Sequence, residues 1–130
     1  MKSVHDNVVI SYEVNLRDRY IEINTETDKD IEVKIKFYDV MAHLFEDHLY
    51  GSILFDIERY EIDSFLKGNK EILEKRKPYC WPTYYESLDE LRELLIKDEY
   101  KYYVIGSSYG FNGWVLAKKI EIKKMNPSDL

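Results

Sequence analysis

Three consecutive stretches in which apolar and polar residues alternate dominate the first forty residues of this chain. They span residues 8–16, 20–26 and 31–40, and short polar segments separate them. An alternation with a period of two is typical of a β-strand that buries one face and exposes the other. Because the connections are short, neighbouring strands are expected to pair as antiparallel hairpins. The pattern therefore predicts a three-stranded meander with one apolar and one solvent-exposed face.

The next segments continue this pattern with one interruption. Residues 52–60 alternate again, which predicts a fourth strand with Ile53, Phe55 and Ile57 on its apolar side. Residues 41–51 show helical spacing over a short stretch, so a turn of helix or an irregular loop is expected there. The apolar face predicted for the first strand consists of Val8, Ile10, Tyr12 and Val14.

The apolar period changes to that of a helix after residue 61. Gly68 is expected to split or bend the first helix, and Pro78 ends it. Ser87 followed by Glu90 is a capping box, which predicts the start of a second helix. The two predicted helical stripes are Ile62, Phe65, Leu66, Ile72 and Leu73, and then Leu88, Leu91, Leu94 and Leu95.

A final hairpin is predicted from two β-rich segments, residues 102–107 and 114–122. The turn between them contains Gly110 and Gly113, which supply backbone freedom at the bend. Strands in a run, then two helices, then a hairpin is the segregated order of an α+β fold. We expect one α+β domain over residues 1–130, with a mainly antiparallel, twisted sheet of about six strands and two helices packed on one face. Residues 125–130 are expected to form a frayed tail.

Length and composition limit the class of protein. A chain of 130 residues fits a single core, and 45% apolar residues exclude a disordered chain. No apolar run approaches the length of a membrane span, and the first residues lack the apolar stretch of a signal peptide. The single Cys80 cannot form an intramolecular disulfide. These features predict a cytoplasmic protein that does not associate with membranes.

Charge is distributed unevenly along the chain. Residues 1–66 contain 7 Lys/Arg and 15 Asp/Glu, whereas residues 67–130 contain 12 and 10. An acidic segment repels nucleic-acid phosphates and attracts basic partners. The sequence therefore disfavours nucleic-acid binding and favours a basic protein partner.

Residues with catalytic or metal-binding chemistry do not form a recognisable set. His43, Glu46, Asp47 and His48 are the best metal candidates, but they lack the spacing of a zinc protease. Asp56 and Glu58 on one strand face could act as an acid/base pair, although such spacing is common on exposed strands. No phosphate-binding glycine motif is present. We expect no metal, no cofactor and a non-enzymatic role.

Two groups of residues are candidates for partner contacts. The exposed face of the meander should carry carboxylates that attract a basic partner and tyrosines that anchor it. The loop at residues 79–86 and the last hairpin hold tyrosines that could contact a partner, whereas Trp81, Phe111 and Trp114 are expected to pack into the core. The full set of candidates is Glu13, Tyr20, Glu22, Glu32, Tyr38, Tyr79, Tyr84, Tyr85 and Tyr109.

Four segments carry a resemblance to known proteins. They are SVHDNVVISYEV near the start, SILFDIE in the middle, YCWP after the first helix and SSYGFNGWVLAKKIEI near the end. Together they resemble a family of short bacterial proteins to which no activity is firmly attached. More loosely, a small acidic α+β protein without a catalytic set is similar to the immunity proteins of polymorphic toxin systems.

The sequence as a whole predicts a non-enzymatic protein-binding domain, of the kind that inhibits a basic bacterial toxin. The alternative is a small-molecule-binding domain or cryptic hydrolase. It would use the aromatic end of the sheet, formed by the loop at residues 79–86 and the last hairpin, with His43, Glu46, Asp47 or His48 supplying polar contacts. A third possibility is a homodimer joined through an edge strand.

Overall fold

A computed structural model describes residues 4–125 of the chain. In that range eight strands form one antiparallel sheet, and three α-helices lie between the fifth and sixth strands. The strands are β1 (Val8–Asn15), β2 (Tyr20–Glu26), β3 (Glu32–Tyr38), β4 (Ala42–Glu46), β5 (Ile53–Tyr60), β6 (Lys101–Tyr109), β7 (Asn112–Ala117) and β8 (Lys119–Lys124). The helices are α1 (Ile62–Gly68), α2 (Lys70–Arg76) and α3 (Leu88–Lys97), with a 3-10 helix at Lys77–Tyr79.

The antiparallel α+β architecture is confirmed, but the predicted numbers of strands and helices are wrong. The structure has eight strands rather than about six, and three helices rather than two. The predicted last strand is divided at Lys118 into β7 and β8, and residues expected to form a loop or helical turn form β4. Five residues of the predicted tail, 126–130, lie outside the described residues.

The additional helix arises where Gly68 was expected to split or bend the chain. Asn69 has φ −120° and ψ 20°, so it leaves the helical conformation between α1 and α2. Its buried side chain donates hydrogen bonds to the carbonyl oxygen of Phe65 at 2.9 Å and to the hydroxyl of Tyr102 at 3.3 Å. These bonds satisfy the amide at the break and attach it to β6. After the break, α3 begins as predicted, because Ser87 Oγ accepts from the backbone N–H of Glu90 at 3.2 Å.

The sheet consists of two four-stranded halves that fold over one another. Strands β1, β2, β3 and β8 form the meander half, and β4, β7, β6 and β5 form the helix-covered half. The halves join where Val8 pairs with Ile53. They also join where the chain passes from β3 to β4 and, beside it, from β7 to β8. There the backbone N–H of Met41 donates to the carbonyl oxygen of Leu116, and the backbone N–H of Lys118 donates to the carbonyl oxygen of Tyr38. Elsewhere the two halves are not joined by strand pairing among residues 4–125.

Two apolar cores result from this arrangement. The first lies between the two halves, where the rings of Phe37 and Tyr103 are 5.5 Å apart across the interface. The second lies between the helices and the outer face of β4, β6 and β7, where Phe65 contacts both Tyr102 and Trp114. The outer face of the meander half remains partly exposed to solvent, as its alternation predicts.

Irregular pairing changes which residues of β1 and β5 are buried. The register between β1 and β2 shifts between Val9 and Ser11, which leaves Ile10 55% exposed. In β5, shifts on either side of Leu54 bury this residue completely and leave Phe55 50% exposed. The predicted burial of Ile10 and Phe55 is therefore wrong, because a β-bulge reverses the side on which the following residues point.

Candidate functional site

The predicted contact residues of the meander half lie on its exposed outer face, as expected. Tyr20 donates a hydrogen bond to Glu13 at 3.1 Å, and Glu13 lies directly opposite Glu22 in the β1–β2 register. Tyr38 lies near the end of the face and donates to Glu121 of β8 at 3.5 Å. Glu32 begins β3, opposite the last residue of β2. The fold thus assembles these five residues on one surface.

Lysines on the same face reduce its acidity. Lys34 lies between Glu22 and Glu32, with N–O distances of 3.4 Å and 3.8 Å. The ammonium of Lys36 lies 4.3 Å from the ring centre of Tyr20 and 5.1 Å from that of Tyr38. The acidic excess of residues 1–66 therefore does not produce an acidic surface here, because Lys34 and Lys36 lie on the outer side of β3 among the glutamates. Exposed ion pairs of this kind contribute little to stability or to steering.

The four other predicted contact tyrosines have different environments. Tyr85 is buried beneath the helices, where its hydroxyl donates to the carbonyl oxygen of Leu73 at 3.2 Å, so its assignment as a contact residue is wrong. Tyr79 and Tyr84 are exposed, and a hydrogen bond to Glu86 raises the pKa of Tyr84. Tyr109 is half exposed at the end of β6, opposite Ile53.

The large rings of the last hairpin are structural, as predicted. Phe111 is buried between the two halves, and Trp114 is buried under the helices, where it meets Trp81 at 6.0 Å. The two rings lie on opposite sides of the helix-covered half. They fill two separate cores, since Trp114 packs with Trp81 of the loop at residues 79–86 whereas Phe111 lies between the two halves.

Strand β4 is the structural feature that sequence reasoning missed. It pairs with β7 from Ala42↔Leu116 to Glu46↔Asn112 and stands at one end of the strand order, so its other edge is unpaired in the described part of the chain. Residues 42–46 give no clear period of two, because Leu44 and Phe45 are both apolar. The helical spacing of the apolar residues in 41–51 therefore favoured a turn of helix or a loop.

The two edge strands of this sheet differ in their protection against pairing. β8 has the sequence KIEIKK, and lysines on an edge discourage addition of another strand. β4 has the sequence AHLFE, without lysine, arginine or proline, and its one charge is at its last residue. A short apolar edge with free N–H and C=O groups is a template for pairing with another chain.

A groove runs along the helix side of the β4 edge. Its volume is about 450 Å³. Leu44 and Ile72 provide its apolar surface, and Gly68 leaves it open because nothing lies within 4 Å of where a Cβ would stand. We call this the β4–α2 groove, and its lining consists of Leu44, Glu46, Gly68, Asn69, Glu71, Ile72 and Lys75.

Aromatic side chains occupy the other face of β4, at a place where the two halves meet without strand pairing. We call this place the open corner. The ring of Tyr12 contacts Phe45 at 5.0 Å and Phe111 at 5.3 Å, and its hydroxyl is 2.8 Å from Nε2 of His48. Tyr12 lies opposite the inward-facing Ile23, yet it remains 36% exposed. A cavity of about 300 Å³ is lined in part by Tyr12, His48 and Phe111, and another of about 260 Å³ is lined in part by Ala42 and His43 of β4. Pockets therefore adjoin β4 on both of its faces, the β4–α2 groove at Leu44 and Glu46 and the cavity of about 260 Å³ at His43.

The four residues considered for metal binding or hydrolysis diverge in the structure. His43 packs against the ring of Phe45, Glu46 lines the β4–α2 groove, Asp47 accepts a hydrogen bond from Asn112, and His48 contacts Tyr12. Among residues 4–125, no group of three or more His, Cys, Asp or Glu side chains could hold a metal ion.

Asp56 and Glu58 share a hydrogen bond on the outer side of β5. Desolvation and this bond raise the pKa of Asp56, whereas a hydrogen bond from Tyr60 at 2.8 Å and the bond with Asp56 lower the pKa of Glu58. The pair lies on the strand surface away from the β4 edge.

Partial burial of His43 gives the open corner a testable pH dependence. Desolvation lowers the pKa of His43 in the folded chain below the ordinary value of 6.5, which applies to the unfolded chain. At a pH between the folded and unfolded pKa values, the unfolded chain therefore binds more protons than the folded one. The free energy of unfolding should therefore fall as the pH drops through the interval below 6.5. We expect His43→Gln to reduce this fall, measured by urea denaturation at about pH 7.5 and about pH 5.5. An unchanged difference between the two pH values would contradict the prediction.

Comparison with protein families, with curated proteins and with solved structures finds no match to this chain. Within residues 4–125, no helix has the length and apolar character needed to cross a membrane.

Proposed function

We propose that this chain is a non-enzymatic protein-binding domain that receives an extended segment of a partner protein on the free edge of β4. The observation that carries the proposal is an unprotected edge strand with a pocket on each face. In recognition by strand addition, backbone hydrogen bonds supply affinity and pockets for alternate side chains supply specificity. Both elements are present at β4.

The geometry on each side of β4 fits this mode of binding. Side chains of an added strand point alternately to the two faces of the sheet. One set would face the β4–α2 groove, over Leu44 and Ile72. The other set would face the open corner, beside the rings of Tyr12 and Phe45.

The finer assignment that we propose is an immunity-type inhibitor of a bacterial toxin. The acidic excess of residues 1–66 supports it, since Glu46 and Asp47 belong to that segment and lie at the end of β4. The similarity to immunity proteins, as a small acidic α+β protein without a catalytic set, also supports it. The balanced charges of the meander face give this assignment no support, so the β4 edge rather than the meander face is the proposed contact surface.

A substitution that fills the β4–α2 groove tests the proposal. The full chain would be used to select binders from a displayed library of random peptides. Gly68→Trp places an indole in the groove without a clash at Cβ, and Ile96→Trp on exposed α3 is the matched control. We expect Gly68→Trp to weaken peptide binding by about tenfold or more, because it removes the space for alternate side chains, and Ile96→Trp to leave it unchanged.

Three further measurements complete this test. Bound peptide should slow amide hydrogen exchange in β4, since its free N–H groups become paired. In cells, the chain should protect against a toxic product of the neighbouring gene, and Gly68→Trp should reduce that protection.

Peptides that do not bind, or that bind equally to Gly68→Trp without protecting β4, would overturn the proposal. Light scattering that shows self-association abolished by Gly68→Trp would also overturn it, in favour of a second copy as the occupant.

A second candidate function is a small-molecule-binding domain. The cavity of about 300 Å³ beside Tyr12 and His48 favours it, because apolar walls surround a small polar group there. The divergence of His43, Glu46, Asp47 and His48 gives no support to hydrolysis at this place.

A further inference from the structure

Charged residues in the β4–α2 groove indicate the chemistry of the segment it would bind. Glu46 is the last residue of β4, and Glu71 lies in the first turn of α2. Both line the groove, and neither has a cationic nitrogen within 4 Å among the described residues. By contrast, Asp63 on α1 is held by Arg92 at 2.6 Å, and this ion pair lowers the pKa of Asp63. The groove therefore contains two carboxylates that remain available to a partner.

The apolar part of the groove fits the aliphatic portion of a long basic side chain. Leu44 and Ile72 are both partly buried, and the space beside Gly68 is open. Lysine and arginine commonly lay their methylene groups on apolar surface while the charged end reaches polar groups. A basic side chain lying over Leu44 and Ile72 would thus bring its cation to Glu46 and Glu71, with charge-assisted hydrogen bonds.

One cation in the lining opposes this attraction. Lys75 follows Glu71 by four residues, about one helical turn, and also lines the groove. Among the lining residues the two carboxylates outnumber it, which leaves the lining with a net negative charge. The charge of this surface is therefore complementary to a basic side chain.

We infer that the partner segment carries a lysine or arginine on the side that faces α2, between apolar residues that face the open corner. This inference rests on the proposed function, because it names the chemistry of the segment received at β4. Alternation places the flanking residues against Tyr12, Phe45 and Phe111. An alternating apolar–basic–apolar segment matches both faces of the site.

The double variant Glu46→Gln/Glu71→Gln tests the inference with the same peptide library. Glu74→Gln, an exposed glutamate of α2 outside the groove lining, is the matched control. We expect selected peptides to contain a basic residue flanked by apolar residues. The double variant should weaken their binding by about tenfold and reduce its dependence on salt, whereas the control should not.

A substituted peptide provides an independent readout. Replacing the basic residue of a selected peptide with methionine should weaken binding to the native chain but not to the double variant. If peptides bind and Gly68→Trp blocks them, but they lack a basic residue and tolerate the double variant, the inference is overturned while the proposed function stands. If no peptide binds, both are overturned.

Discussion

Gly113→Ala is expected to lower the free energy of unfolding by about 3 kcal/mol or more. Gly113 has φ +151°, a conformation that residues with a side chain rarely adopt. A Cβ at this position would overlap the backbone carbonyl oxygen of Leu44 in β4. The methyl group would therefore force β4 away from β7, and urea denaturation would measure the loss.

Gly68→Ala is the matched control for this substitution. Gly68 ends α1 with nothing within 4 Å of where its Cβ would stand, so alanine should be neutral or stabilise the protein by up to about 1 kcal/mol. Equal stability of the Gly113→Ala and native chains would contradict the close approach of β4 to β7. Since β4 is the proposed binding edge, Gly113→Ala should also reduce peptide binding.

Phe37→Ala is expected to destabilise the protein by about 3 to 5 kcal/mol. Phe37 is fully buried between the two halves, where its ring lies 5.5 Å from that of Tyr103. Removing the ring leaves a cavity at the contact that holds the meander half against the helix-covered half. A loss of that size is a large fraction of the stability of an ordinary domain, and thermal and urea denaturation would both detect it.

Phe55→Ala separates this effect from the general loss of a phenylalanine. Phe55 is 50% exposed and packs against the ring of His5 at 5.3 Å. Its replacement should cost about 1 kcal/mol or less. A loss as large as that of Phe37→Ala would show that the bulges in β5 do not have the positions described here.

Regular segments were predicted well because their local pattern and their tertiary environment agree. β2 and β3 alternate without a bulge, and Ile21, Ile23, Val33 and Ile35 are buried as their spacing indicates. The capping residues of α3 act within one turn of chain, so no distant contact was needed to identify them. Such elements depend on neighbouring residues, which the sequence shows directly.

Irregular segments were predicted poorly because distant contacts decide them. The burial of Leu54 in place of Phe55 follows from pairing with β6, about fifty residues later. β4 forms a strand because β7 offers it an unpaired edge and because Gly113 permits a close approach. Neither condition can be read from residues 41–51.

The candidate site shows the same division. The sequence indicated an acidic surface, tyrosines as contacts and a group of polar residues at 43–48. The structure pairs the meander carboxylates with lysines, buries Tyr85 and separates the residues of the polar group. Exposed contacts depend on which residues lie opposite each other across strands, and strand order was not available from the sequence.

The sequence by itself determined an antiparallel α+β fold, the meander, the position of α3 and the structural role of Phe111 and Trp114, because periodicity and side-chain size specify burial locally. Only the tertiary structure decided that the sheet folds into two halves, that β4 is an edge strand and that α2 lies beside it. A free edge is defined by the absence of a neighbouring strand, and this depends on the path of the whole chain. For this reason the proposed binding site became visible only in the folded protein.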